Sequence, residues 1–242
     1  MNSIVLKLQN TSLSQIWLHL FVIFTSFSAV QAQKDTISFE EVKDIKSYGR
    51  FRYMEVKGHT GYHLYTGELL NNTVNNGYGA LEFRYGWQPK DPDKWPSRYG
   101  YASYGVGYYA GFVGNPEILG KPNAVYGFVN FPLSNPSRRN VLEMGLAFGL
   151  TYNLEPYDPE GNPENDAIGS PFAAYFNLNF GAAFKMTREL DLVYGVDFTH
   201  FIVGRITVPN LGLNMYGVHL AFRYHYNADQ KFIDNDPYSS DI

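Results

Sequence analysis

No cysteine occurs in the 242 residues, and that one absence excludes disulfides, thiolate nucleophiles, cysteine-ligated zinc and a lipidated N-terminal cysteine. Charge is scarce as well. Lys and Arg number 19 against 23 Asp and Glu, a formal net charge of -4, so there is no basic field to hold nucleic acid. Beyond residue 32 no run approaches the roughly 20 apolar residues that a membrane-crossing helix needs. A membrane location for the mature chain therefore has to come from strands. What is abundant is aromatic: Tyr 20 and Phe 18, together with Gly 23, a composition that suits many strands and tight turns rather than helix bundles. The length asks for one domain.

Residues 1–32 read as a signal peptide. Lys7 sits in a polar lead, an apolar run extends from Ile16 to Val30, and the small-residue spacing Val30-Gln31-Ala32 predicts cleavage after Ala32. His19 and several Thr and Ser inside the run argue against a transmembrane anchor. Residues 33–50 are then a polar periplasmic lead, 51–226 carry the strands, and 227–242 form a polar, acidic tail.

Within 51–226 the chain breaks at Gly, Pro, Asn and Asp into about eight strand-like runs. They span approximately 52–66, 78–88, 100–112, 122–132, 140–153, 170–185, 189–203 and 212–226. Side chains on a strand alternate faces, so each face can be read separately. In the fifth run Leu142, Met144, Leu146, Phe148, Leu150 and Tyr152 oppose Glu143, Gly145, Ala147, Gly149 and Thr151. The sixth sets Phe172, Ala174, Phe176, Leu178, Phe180 and Phe184 against Tyr175, Asn177, Asn179, Gly181 and Lys185. In the last, Tyr216, Val218, Leu220, Phe222, Tyr224 and Tyr226 oppose Gly217, His219, Ala221, Arg223 and His225.

Two barrels use such alternation. A soluble, lipocalin-like barrel turns the apolar row inward, and a membrane barrel turns it outward. Here the other row is rich in Gly, Ala and Ser with scattered charges such as Glu82, Arg84, Glu143, Asp197 and Arg223. That row fits a narrow interior filled by small residues and internal ion pairs, whereas the apolar rows are too bulky for the same space. The runs are long enough to cross a bilayer when tilted, and Trp87, Tyr104 and Tyr226 at their ends suit interfacial girdles. The expected fold is all-β, an eight-stranded antiparallel outer-membrane β-barrel, with a filled interior that argues against a solute channel. An even strand number puts both ends in the periplasm and the connections near 67–77, 113–121, 154–169 and 204–211 outside. The alternative, a soluble barrel carrying an apolar ligand, predicts a soluble periplasmic pool.

On the seventh run Leu190, Leu192, Tyr194, Val196, Phe198, His200 and Ile202 share the apolar row, so His200 faces lipid near the extracellular end. Asn214 opens the eighth run on the same parity, which allows the two to approach across the last hairpin. At these residues the sequence resembles the PagL-type lipid A 3-O-deacylases, also known as acyloxyacyl hydrolases. Leu81-Glu82-Phe83-Arg84-Tyr85-Gly86-Trp87-Gln88, Tyr126-Gly127-Phe128-Val129-Asn130-Phe131-Pro132 and Thr199-His200-Phe201 are similar to the branch found in Bacteroidetes-type bacteria.

The resemblance implies an eight-stranded outer-membrane barrel with a lipid-facing active site, fatty-acyl ester hydrolysis on lipid A, and lipid A or lipopolysaccharide as the partner. It implies no cofactor and no metal. The family motif is His-x-Ser-Asn on the seventh strand and Pro-Asn-x-Gly-x-Glu entering the eighth, with His, Ser and Glu as a triad. Here His200 holds the base position, and Pro209, Asn210 and Gly212 keep the second motif. Ile202 stands at the serine position, Val203 beside it, and Asn214 at the glutamate position. Isoleucine cannot attack an ester. Asn214 could orient His200, yet orientation is useless without a hydroxyl to activate. Three chemistries remain open: Thr199 as nucleophile although its parity is inward, Thr207 in the loop, or water activated directly by His200. Arg205 and Asn210 are candidate substrate contacts, and Arg205 and Lys121 are placed to pair with lipid A phosphates. The expectation is a deacylase-like barrel with impaired or altered chemistry, or else a non-catalytic barrel that binds lipid or scaffolds a surface complex.

Weaker patterns remain. Asp158, Glu160, Asn162, Glu164 and Asp166 alternate in the loop from Glu155, a faint calcium-loop pattern interrupted by prolines, set against a solvated acidic loop. His59, His63, His219 and His225 fall on the inner face as hydrogen-bonding groups. Gly105 and Gly107 lie within a strand, where glycine makes room inside the barrel.

Overall fold

Alternation of bulky and small side chains produces long antiparallel strands that close on one another. The computed structural model describes residues 48–50, 52–64, 69–70, 77–88, 99–136, 138–187, 189–203, 208–226 and 228–232, all within the unit Lys43–Ile242. The predicted signal peptide, Arg205 and Thr207 lie outside the described residues. In chain order the elements are β1 (Tyr48–Arg50), β2 (Arg52–His63), β3 (Gly77–Trp87), β4 (Ser103–Phe112), α1 (Pro116–Leu119), β5 (Gly120–Pro132), β6 (Asn140–Leu154), β7 (Ala173–Lys185), β8 (Leu190–Ile202), β9 (Leu213–Tyr224) and β10 (Ala228–Phe232). Strands β2 to β9 form a closed barrel in sequence order, with β9 returning to β2 through pairs such as His59↔His219.

The apolar rows face outward. Phe148 is 63% exposed, and Leu81, Phe83, Val106, Leu142 and Val218 project in the same way, whereas Tyr109 on the inner row is 0% exposed. Among the residues expected in a girdle, Trp87 stacks on Tyr104 with centroids 6.1 Å apart. The Tyr226 hydroxyl bonds to that of Tyr85, which meets Trp87 edge-on at 4.6 Å. All lie at the end of the barrel where β2 begins and β9 ends.

The interior is held by paired charges. Glu82 accepts from Arg84 Nε at 2.7 Å, Tyr126 Oη at 2.9 Å and Tyr175 Oη at 2.8 Å. Arg223 donates to Glu55 at 2.8 Å and, through both terminal nitrogens, to Glu143 at 3.0 Å. Asp197 accepts from His59 at 2.6 Å, His219 at 3.2 Å and Tyr78 at 3.0 Å, and His225 pairs with Asp191 at 2.8 Å. Charges buried in a lipid-surrounded interior persist only with partners of this kind. Glycines accommodate the rings among them: a Cβ on Gly107 would lie 2.3 Å from the Tyr126 ring, and one on Gly86 would lie 2.1 Å from the ring of Tyr53.

The end opposite the termini is capped. Asn115 begins α1 by accepting from Glu117 N at 2.9 Å with Pro116 in the first turn, and Gly120 at φ 77 ends it. The helix contributes Ile118 and Leu119 to a buried cluster with Leu70, Val113, Leu154 and Ile168, continuous with the interior rings. The loop after β6 is tied to it by amides: Asn162 donates to Ile118 O at 2.9 Å and Asn165 to Glu155 O at 2.6 Å. The alternating pattern at 158–166 is thus divided by structure, since Asn162 is buried to hold the cap while Asp158 and Glu160 are exposed. Lys121, expected in a connection, is the second residue of β5. Within the stretch expected as a tail beyond the last barrel strand, Ala228–Phe232 forms β10 and pairs antiparallel with β1, Tyr48 opposite Phe232. The cause is geometric: β2 and β9 are neighbours, so the segments flanking them leave the barrel side by side.

Candidate functional site

His200 lies near the capped end of β8, opposite Phe176 on β7 and Asn214 on β9. Its flanking residues Thr199 and Phe201 are fully buried, so the imidazole stands on the outer wall. The predicted approach of His200 and Asn214 is realised as a direct cross-strand pair.

The ring is fixed from two sides. Nδ1 donates to the carbonyl oxygen of Leu213 at 3.2 Å, and the Phe198 ring lies nearly parallel to it, centroids 6.3 Å apart at 17°. A carbonyl only accepts, so in the neutral imidazole the proton sits on Nδ1 and Nε2 presents its lone pair. This tautomer suits a base acting through Nε2. The orienting group is therefore the backbone next to Asn214 rather than its amide. Gly212 brings that backbone close: its φ is 72, and a Cβ there would lie 2.4 Å from Phe201 O and 3.1 Å from His200 Cε1. Its N–H donates to Ala167 O at 3.1 Å, linking the site to the cap.

Along the outer row from His200 comes Ile202, 38% exposed and opposite Ala174. Leu211 and Tyr216 are also exposed, and Asn210 is exposed in the loop leading into β9. Val203 is only 7% exposed and belongs to the buried cluster. Thr199 is 0% exposed, and its hydroxyl accepts from Asn177 Nδ2 at 2.9 Å, so it is turned away from His200. The site thus offers a base and an amide within an apolar surround, and no hydroxyl of a described residue stands beside Nε2.

A second imidazole constellation, His59 between Asp197 and Glu82, was not singled out as a site by the sequence. Parity had placed each member inside, the only available signal. Its side chains are 0% exposed, beyond reach of any substrate. Among the described residues, no three His, Asp or Glu side chains converge in a metal-holding group.

The model of the lipid A 3-O-deacylase (PagL) family matches residues 77–223. No curated protein matches the chain. Among solved structures it is similar to Neisserial surface protein A (NspA), with 11% identity, a TM-score of 0.49 and coverage of 74% of this chain and 99% of that one. It is similar to the N-terminal β-barrel domain of Pseudomonas aeruginosa OprF at 9% identity, TM-score 0.40, covering 71% and 97%. It is also similar to the outer membrane enzyme PagL at 14% identity, TM-score 0.45, covering 70% and 97%.

Proposed function

Because the chain belongs to the lipid A 3-O-deacylase (PagL) family, we propose that it is an outer-membrane barrel that engages lipid A at the wall around His200 but does not carry the family's serine hydrolysis. The observation behind this reading is Ile202. It occupies the outer row beside a correctly tautomerised His200, where the family resemblance puts the nucleophile, and it has no oxygen to deprotonate. Thr199 does not replace it, being buried and bonded to Asn177. His200 holds the base position and Asn214 the glutamate position, with Asn210 on the approach from the loop and Arg205 a further candidate contact. Ile202, Leu211 and Tyr216 offer acyl chains an apolar surround. The partner is lipopolysaccharide of the outer leaflet, reached after export directed by residues 1–32 and cleavage behind Ala32.

The test is incubation of the purified barrel with lipid A, followed by mass spectrometry for loss of an acyl chain. We expect intact lipid A with the natural chain. Installing Ile202→Ser with Asn214→Glu should produce acyl release that His200→Ala abolishes. Val203 is best left in place, since an asparagine there would bury an amide in the cap. Acyl release by the natural chain that depends on His200 would overturn the reading.

A further inference from the structure

The rim opposite His200 carries a cationic cluster on the outer wall. Strand β7 ends in Phe184 and Lys185, and the turn that enters β6 ends in Arg138 and Arg139. The guanidinium carbon of Arg139 lies 4.9 Å from the centroid of the Phe184 ring, at the end of the lipid-facing row. Its Nε donates to Lys185 O at 3.3 Å. Lys185 N donates to Arg139 O at 2.8 Å, and Lys185 Nζ to Pro136 O. These bonds clamp the turn against the end of β7 and bring three cations to one stretch of rim. Among the described residues, neither Arg138 nor the terminal nitrogens of Arg139 meet a carboxylate. The neighbouring acids are engaged elsewhere: Glu143 by Arg223 at 3.0 Å, Glu189 by the Thr187 hydroxyl at 3.4 Å, and Asp191, opposite Lys185 in the sheet, by His225 at 2.8 Å.

We propose that this cluster binds the phosphate headgroup of an anionic glycerophospholipid in the periplasmic leaflet. β2 begins and β9 ends at this rim, which places it on the periplasmic side. Among the described residues the opposite end presents mainly acids, the exposed Glu117, Glu155, Asp158, Glu160 and Glu164. An arginine laid on an aromatic ring keeps its apolar stem over the acyl boundary and offers its remaining N–H fork to a phosphate. Below the cluster the outer wall continues with the exposed Leu142, against which the acyl chains would lie. That apolar continuation selects a lipid over a free anion, for which the open rim supplies no enclosure. The proposal does not depend on what happens to lipid A at His200.

Native mass spectrometry of the full barrel in detergent, titrated with phosphatidylglycerol or phosphatidylcholine, tests it. The natural chain should retain phosphatidylglycerol several-fold more strongly. Arg139→Gln should weaken that retention about fivefold, the loss of one basic contact with an anionic lipid surface. The double variant Arg138→Gln with Arg139→Gln should erase the preference, while Arg139→Lys, which keeps the charge, should retain most of it. Glu117→Gln, a one-unit charge change at the other end, should leave the preference unchanged. Equal retention of the two lipids by the natural chain would overturn the site. So would a double variant that still prefers phosphatidylglycerol, or displacement of that lipid by an equal concentration of inorganic phosphate. Heat-modified mobility on a gel confirms that each variant is folded before it is scored.

Discussion

Two histidines of this molecule live in opposite surroundings. Inside the barrel, His59 is held between Asp197 at 2.6 Å and Glu82 at 3.2 Å; on the outer wall, the His200 imidazole bonds to a backbone carbonyl at 3.2 Å. Judged by acids and bases alone, the inner arrangement looks the richer site. Yet its groups are sealed from every substrate and are occupied in neutralising one another, while the sparse outer imidazole keeps a lone pair free on the side where lipid arrives. In this fold the dense polar constellation maintains the barrel, and access decides where chemistry could occur.

The comparison breaks most directly at Arg84, which donates to Glu82 and lies 3.7 Å from Glu55. Arg84→Ala would strand buried carboxylates and should cost about 3–5 kcal/mol, whereas His200→Ala on the wall should cost within about 0.5 kcal/mol. Urea unfolding in micelles measures both, and equal losses would mean that the two regions do not differ as described. Next in size, Gly86→Ala should drive a methyl into the ring of Tyr53, at a cost of about 1–3 kcal/mol in the same assay.

Gly212→Ala sharpens the outer half of the contrast. Its positive φ and its approach to Phe201 O should cost about 1 kcal/mol. It should also shift the nitrogen NMR resonances of His200, because the carbonyl that holds Nδ1 is moved. Unchanged resonances would show that the loop backbone does not orient the ring.

The smallest effect belongs to Asp158 in the exposed loop. The backbone N–H groups of Gly161 and then Glu160 hold its carboxyl below the ordinary range. A depressed folded value gives order that is complete above the unfolded value and fades as pH falls through the folded one. The protection of the Gly161 amide relative to its intrinsic exchange rate at each pH should therefore stay constant from neutral to mildly acidic pH and fall only on stronger acidification. A loss of protection in the mildly acidic range would contradict this.

Much of the fold was legible because a strand's period is two and both rows of this barrel are chemically pure. Leu142 to Tyr152 against Glu143 to Thr151 gives both the strand and its outer face. The outward His200 and its pairing with Asn214 followed from the same parity. What parity could not supply is register across strands. Gly107 announced space, but only the folded sheet shows that Tyr126 fills it. Loops carry no period, so the cap built on Ile118 and Ile168 was not legible, nor was the choice of Leu213 O over the Asn214 amide as partner of His200. The pairing of β1 with β10 depends on residues 180 or so apart, a separation that local patterns do not span.

The buried cluster that runs without interruption from Tyr53 to Leu70 and Ile168 gives the barrel a solid centre of side chains along its length. Commerce with the surroundings is left to its circumference, where acyl tails and headgroups slide past.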